Sequence, residues 1–107
     1  MMNERENAFT RSLMMYLDHL EKDYAPENPG HVFVLDENGR KYIKVGRVSR
    51  DGSGEMGSVH SFIVINDGGT FRRGDILKAA TFKAPARNFA RGNILDEDFE
   101  HIHWAGL

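Results

Sequence analysis

Residues 59–95 read VHSFIVINDGGTFRRGDILKAATFKAPARNFARGNIL, and this stretch decides the fold. The segment from Ser58 to Ile65 is apolar at both alternating sets of positions, which is typical of a central strand covered on both faces. The Asn-Asp-Gly-Gly run after it predicts a turn. We therefore expect the next strand from Asp75 to Phe82, and a last short strand from Phe99 to Trp104.

The residues upstream of this stretch predict one helix. Apolar side chains recur every three to four residues over about residues 4–24, with Asn3 as the cap and Glu6 reaching back to it. The apolar stripe contains Phe9, Leu13, Tyr16, Leu17, Leu20 and Tyr24. We expect the leucines and Phe9 to pack against three strand residues, Val59, Ile63 and Ile65.

Two strands follow the helix in the sequence. His31–Leu35 and Arg40–Val45 flank the dipeptide Asn38-Gly39, which indicates a hairpin because Asn-Gly supplies the positive φ angles of a tight turn. The polar, glycine-rich segment 49–57 predicts a mobile loop. The fold class is therefore α+β, with the N-terminal helix packed on a curved antiparallel sheet or small half-open β-barrel of about five strands.

Composition limits the protein class. A chain of 107 residues suits a single domain, residues 1–107, with the helix at about 4–24 and the β region at about 31–104. No apolar run approaches the ~20 residues of a membrane span, and no secretory h-region begins the chain. Without cysteine there is no disulfide or thiolate site, so a cytoplasmic protein is expected.

Charge is strongly segregated along the chain. Between Thr70 and Asn93 there are six cations and one anion, whereas the formal charge of the whole chain is −2. Cations interleaved with aromatic residues are typical of surfaces that follow a phosphate backbone and stack bases. The predicted nucleic-acid or anion-binding residues are Arg72, Arg73, Lys78, Lys83, Arg87, Phe89 and Arg91.

An intramolecular alternative competes with this interpretation. Phe82 and Phe89 would then belong to the core, and the arginines would pair with the acidic helix or with the acidic run from Asp96 to Glu100. Both interpretations account for the same charge pattern.

Histidines offer a candidate metal site. His101 and His103 would share a face of a strand, and His60 and His31 are conceivable further ligands. Two imidazoles do not complete a tetrahedral shell, so we predict no metal and no cofactor. A small metal-dependent hydrolase built on His60, His101 and His103 stays the third hypothesis, behind two kinds of non-enzymatic binding protein.

Four segments resemble a known group of proteins. They are Tyr42-Ile43-Lys44-Val45, Gly57 to Phe62, Gly74 to Ala86 and Ala90 to Ile94. Together they are similar to small uncharacterised proteins of tailed bacteriophages, with the pattern YIKV, SVHxF, GDxxKAAxxKxPA and RGNI. The resemblance covers about half of the chain and implies an accessory protein that acts by binding in the host bacterial cytoplasm during infection.

The same context implies a second function. The protein would be a phage effector that inhibits a host protein or captures a host defence nucleotide. It would use either the basic tail, which runs from Arg72 to Arg91, or a helix face widened by Met14 and Met15.

Overall fold

A computed structural model describes residues 4–24, 26, 30–49 and 56–107. One helix precedes five strands: α1 (Glu4–Tyr24), β1 (His31–Asp36), β2 (Tyr42–Ser49), β3 (Ser58–Val64), β4 (Asp75–Lys78) and β5 (Gly92–Asn93). The strands form one antiparallel sheet in the order β1-β2-β3-β4-β5, and this sheet is not closed into a barrel. The α+β prediction is confirmed, in its open-sheet form.

The main core lies between α1 and one face of the sheet. Tyr16 and Leu20 are completely buried there, as are Ile63 and Ile76 from the central strands. Leu17 was expected in the same core but is only half-buried, because it lies at the edge of the apolar stripe. The predicted cap at Asn3, the side chain of Glu6 and most of the predicted 49–57 loop lie outside the described residues.

A β-bulge in β3 changes which residues face the helix. Val45 pairs with Ser61 and Gly46 pairs with Val59, so His60 is the extra residue. His60 and Ser61 consequently both contact the helix side, through Phe33 and Tyr16 respectively. Val59 was predicted to share the face of Ile63, but it packs on the opposite face of the sheet.

That opposite face carries a second, smaller cluster. Its buried members are Phe62, Val64, Phe71 and Leu77, with Tyr42 and Val59 packed against them. Strand alternation explains the division, because Tyr42 and Ile43 point to opposite sides of β2. The prediction that β3 is covered on both faces therefore holds.

The two last predicted strands differ from the structure. The strand expected over Asp75–Phe82 ends at Lys78, because the Thr81 side chain accepts hydrogen bonds from the amides of Lys83 and Ala84 and forms a turn. Phe99–Trp104 is not a strand. There the amide of Ile102 bonds to the carbonyl of Phe99 in a turn, and both side chains are buried in the main core.

Candidate nucleic-acid interface

Asn93 organises the turn that follows β5, next to the end of the basic tail. Its amide nitrogen donates to the Asp75 carboxylate at 2.9 Å and to the carbonyl of Arg73 at 3.1 Å. Its amide oxygen accepts from the backbone amides of Leu95 and Asp96. This buried group therefore uses both its donor and its acceptor, and it fixes the positions of Arg72, Arg73 and Arg91 relative to the sheet.

Arg72 and Arg73 are engaged within the protein. The Arg72 guanidinium donates to the Asp96 carboxylate at 2.7 Å, and this hydrogen bond raises the pKa of Arg72 above its ordinary value. Arg73 donates to the carbonyl of Ile65 at 2.6 Å, and its guanidinium lies 4.0 Å from the centre of the Phe9 ring. The predicted binding role therefore does not fit the half-buried Arg73.

Arg91 and Phe89 form a contact of their own. The Arg91 guanidinium lies 4.0 Å from the centre of the Phe89 ring and donates to the carbonyl of Leu107 at 3.1 Å. Phe89 is 54% exposed, but one face of its ring is covered by this cation. Among the described residues, the intramolecular alternative thus holds for Arg72, which pairs with Asp96, whereas carbonyl and aromatic contacts hold Arg73 and Arg91. Its prediction that Phe82 and Phe89 belong to the core is wrong, because both rings are exposed.

The other predicted cations are exposed, and the sheet separates them. Lys78 lies beside a hollow that His60 and Trp104 also line, near the end of the chain. Lys83 and Arg87 lie instead over the sheet face opposite α1, near the start of β2. The predicted set is consequently not one continuous binding surface.

The structure brings Lys83 and Arg87 together with three cations from the β1–β2 hairpin. Two adjoining hollows share Arg40, Lys41 and Tyr42 in their walls, and Lys44 lies 4.7 Å from the centre of the Phe82 ring. We call this surface the cationic face. It consists of Arg40, Lys41, Tyr42, Lys44, Phe82, Lys83 and Arg87.

Arg40, Lys41 and Lys44 were not predicted as binding residues because they lie far from the basic tail in the chain. A usable signal was present, since Tyr42 and Lys44 occupy the same alternating set of positions in β2. Their partners across the sheet are Val64 and Phe62, which places both on the face opposite α1.

The positive charge of the cationic face favours the binding of anions. Five cations line the two hollows, against the carboxylates of Asp36 and Asp67. Within the described part of the chain, Arg40, Lys41, Lys83 and Arg87 make no side-chain hydrogen bond or ion pair. The surface can therefore meet a ligand anion without first breaking an internal contact with those residues.

The aromatic residues give this face a second property. Phe82 is 48% exposed, and Tyr42 is half-buried with its ring packed edge-on against Phe62 at 5.9 Å. Flat rings beside cations are the combination that stacks bases while phosphates are neutralised.

The histidines do not converge on a metal site. His101 donates to the carbonyl of Arg91, whereas the ring of His103 lies 3.5 Å from the Asp23 carboxylate. In the described ranges no group of three His, Asp or Glu side chains is placed to hold a metal ion. Among the described residues, His60, His101 and His103 therefore each have a separate partner.

His60 belongs to a buried chain of hydrogen bonds. Its Nε2–H donates to the carbonyl of His103 at 2.8 Å, so Nδ1 accepts from the Ser61 hydroxyl at 3.0 Å. The Ser61 oxygen then accepts from the Tyr16 hydroxyl at 2.8 Å. Burial lowers the pKa of His60 and raises that of Tyr16, which keeps both neutral, and the Ser61 hydroxyl is fully buried between them.

No helix in the described part of the chain is long and apolar enough to cross a membrane.

Comparisons with known proteins identify the family of this chain. Neither the curated proteins nor the solved structures include a significant match to this chain. A family profile matches residues 1–107, and the chain therefore belongs to the family of unknown function DUF7717.

Proposed function

We propose that this protein binds single-stranded nucleic acid on the cationic face. The observation that carries the proposal is the convergence of five cations from two separate segments around Tyr42 and Phe82. Phosphates interact with Lys and Arg irrespective of sequence, and such contacts supply most of the affinity in non-specific binding.

The aromatic rings favour a single strand over a duplex. A base in a duplex is already stacked on its neighbours, whereas an unpaired base can stack on an exposed ring such as Phe82. These contacts bind a strand and require no bond to be made or broken. The protein accordingly acts as a non-enzymatic binding module.

The test is fluorescence anisotropy with a labelled mixed-sequence DNA 12-mer, the RNA of the same sequence, and the DNA duplex. We expect tighter binding of both single strands than of the duplex. The double variant Lys83→Ala/Arg87→Ala should weaken single-strand binding by about tenfold or more, because charge-assisted contacts are worth ~1.5–3 kcal/mol each before solvent screening.

A matched control removes the same charge elsewhere. Arg11 and Lys22 are exposed on α1, so Arg11→Ala/Lys22→Ala alters the net charge equally without touching the cationic face. Equal weakening by both double variants would show that only net charge matters, and would contradict a defined binding face. Failure of the native protein to bind any of the three probes at low salt would reject the proposal.

A second candidate follows from the exposed helix surface. Met14 and Met15 are 45% and 41% exposed, and adjacent exposed methionines suit a protein contact. In the phage context that the sequence pattern implies, the protein would be an effector that binds a host protein through this surface. Met14→Ser/Met15→Ser should then abolish host-protein capture while oligonucleotide binding is unchanged.

A further inference from the structure

The larger of the two hollows in the cationic face has the dimensions of a small-molecule site. Its volume is about 340 Å³, near the lower end of the ~300–1,000 Å³ found for ligand pockets. It lies where the start of β2 meets the turn at Gly68 and Gly69. A cavity of this size accommodates one nucleotide, not a length of strand.

The lining of this hollow combines apolar and aromatic side chains with positively charged ones. Tyr42, Val64 and Phe71 supply an apolar and aromatic lining. Phe71 belongs to the second cluster, on this face of the sheet, and Tyr42 packs against that cluster. Arg40, Lys41 and Arg87 supply positive charge. Aromatic surface for a base and cations for a phosphate are thus present within one concavity.

The turn leaves the entrance open. Gly68 and Gly69 line the hollow, and a Cβ atom built on either glycine would meet no other atom within 4 Å. Gly69 has a φ of +56°, a conformation that glycine adopts without strain. A bound base can therefore approach the backbone of the turn closely.

Among the described residues that line the hollow, Asp67 is the only acidic one. Its carboxylate accepts the backbone amide of Arg73 at 2.8 Å, so it is held at the turn. A phosphate avoids this end of the hollow because of repulsion, and a base edge carrying N–H donors does not.

We infer that this hollow is a specific site for one nucleoside monophosphate unit, with the base against Tyr42 and the phosphate near Arg40, Lys41 and Arg87. The inference rests on the proposed function and deepens it, because the unit is one nucleotide of a bound strand. The same chemistry is presented by a free mononucleotide.

Isothermal titration calorimetry with AMP, GMP, CMP and UMP tests the site, with inorganic phosphate and adenosine as partial ligands. At least one monophosphate should bind saturably at one per chain, at least tenfold more tightly than either partial ligand. Arg87→Ala should weaken that binding by at least fivefold. The matched control Arg11→Ala should change it by less than twofold, because Arg11 is exposed on α1 and lies outside the cationic face.

NMR chemical shifts place the bound nucleotide. The amides of Gly68 and Gly69 should shift on titration, whereas those around Lys78 and Trp104 should not. Both variants change exposed side chains, so a folded spectrum is expected for each, and Arg87→Gln provides a second test if Arg87→Ala does not fold.

The outcomes separate this inference from the proposed function. Oligonucleotide binding without saturable monophosphate binding overturns the inference and leaves the proposed function intact. Monophosphate binding without oligonucleotide binding supports the pocket and rejects the proposed function. Equal affinity for inorganic phosphate and the monophosphates, or equal effects of the two alanine variants, overturns the inference because the base or the pocket would then contribute nothing.

Discussion

Asn93 shows how a residue in the resemblance motif RGNI supports the structure. Its donor faces the Asp75 carboxylate, and its acceptor faces the amides that follow it. Glycine is required at position 92, because a Cβ there would clash with the carbonyl oxygen of Asp98. Gly74 has a φ of +91° and approaches the Asn93 side chain. These motif residues are explained by the fold alone.

Asn93→Asp removes the amide donor at this position and adds a negative charge. The substitution keeps the acceptor oxygen but places a second carboxylate against Asp75, with the Arg73 carbonyl left without its donor. We expect a loss of about 1–3 kcal/mol or more in the free energy of unfolding at neutral pH. Part of the loss should be recovered in acid, when one carboxyl takes up a proton. Urea denaturation measures both, and native stability at neutral pH would contradict the role of Asn93.

The burial of His60 predicts how the stability of the folded protein changes with pH. Because burial lowers the pKa of His60, the folded protein protonates it less readily than the unfolded chain does. The stability from neutral His60 is therefore complete above the unfolded pKa of about 6.5 and decreases as the pH falls toward the lower folded value. Nearby Arg47 adds to this effect by repelling the protonated ring.

His60→Gln removes the titrating group and tests this sign. The free energy of unfolding should decrease between about pH 7.5 and about pH 5 by less in the variant than in the native protein, whatever the variant's absolute stability. Comparing two pH values within each protein cancels the cost of the substitution itself. An identical decrease in both proteins would show that His60 does not titrate in this range.

The helix and the hairpin could be predicted from sequence, and the C-terminal segment could not. Periodicity identified α1, and alternation identified β1 and β2, although β2 runs from Tyr42 to Ser49. The predicted tight turn at Asn38-Gly39 is wrong, because neither residue has a positive φ angle and the pairing of Asp36 with Lys44 leaves a longer connection. Phe99 and Ile102 have the apolar spacing of a helix turn or a loop as readily as that of a strand. They reach the core from turns whose hydrogen bonds are local, a feature that periodicity does not reveal.

The bulge at His60 limited prediction in a different way. One extra residue reverses the alternation, so Val59 moved to the opposite face from Ile63. The polar pair His60-Ser61 was the available signal of an irregularity, because two consecutive polar residues in a buried strand both need hydrogen-bond partners.

The burial of side chains along α1 predicts that alanine substitutions of two leucines lower the stability by different amounts. Leu20 is fully buried, so Leu20→Ala should lower the free energy of unfolding by about 2–5 kcal/mol. Leu17 is half-buried, and Leu17→Ala should cost clearly less because less contact area is lost. Chemical denaturation of both variants checks this order. Equal costs would mean that the helix is rotated relative to the sheet from the arrangement described.

The distribution of charge over the molecule differs from its distribution along the chain. The sequence grouped six cations by their proximity in the tail, but the sheet regroups them by face. Arg72, Arg73 and Arg91 are held by internal contacts, and Lys83 and Arg87 join the hairpin cations. Long-range pairing of β2 with β3 decides this regrouping, and no local pattern contains it.

The central claim is that the cationic face binds nucleic-acid phosphates, and the salt dependence of oligonucleotide affinity tests it most directly. Neutralising four to five phosphates should give a slope of about −3 for log affinity against log salt with single-stranded DNA, since each contributes about −0.7. Lys83→Ala/Arg87→Ala should make that slope shallower by about 1.4, whereas Arg11→Ala/Lys22→Ala should leave it unchanged. A slope that is the same in the native protein and in Lys83→Ala/Arg87→Ala would contradict the claim.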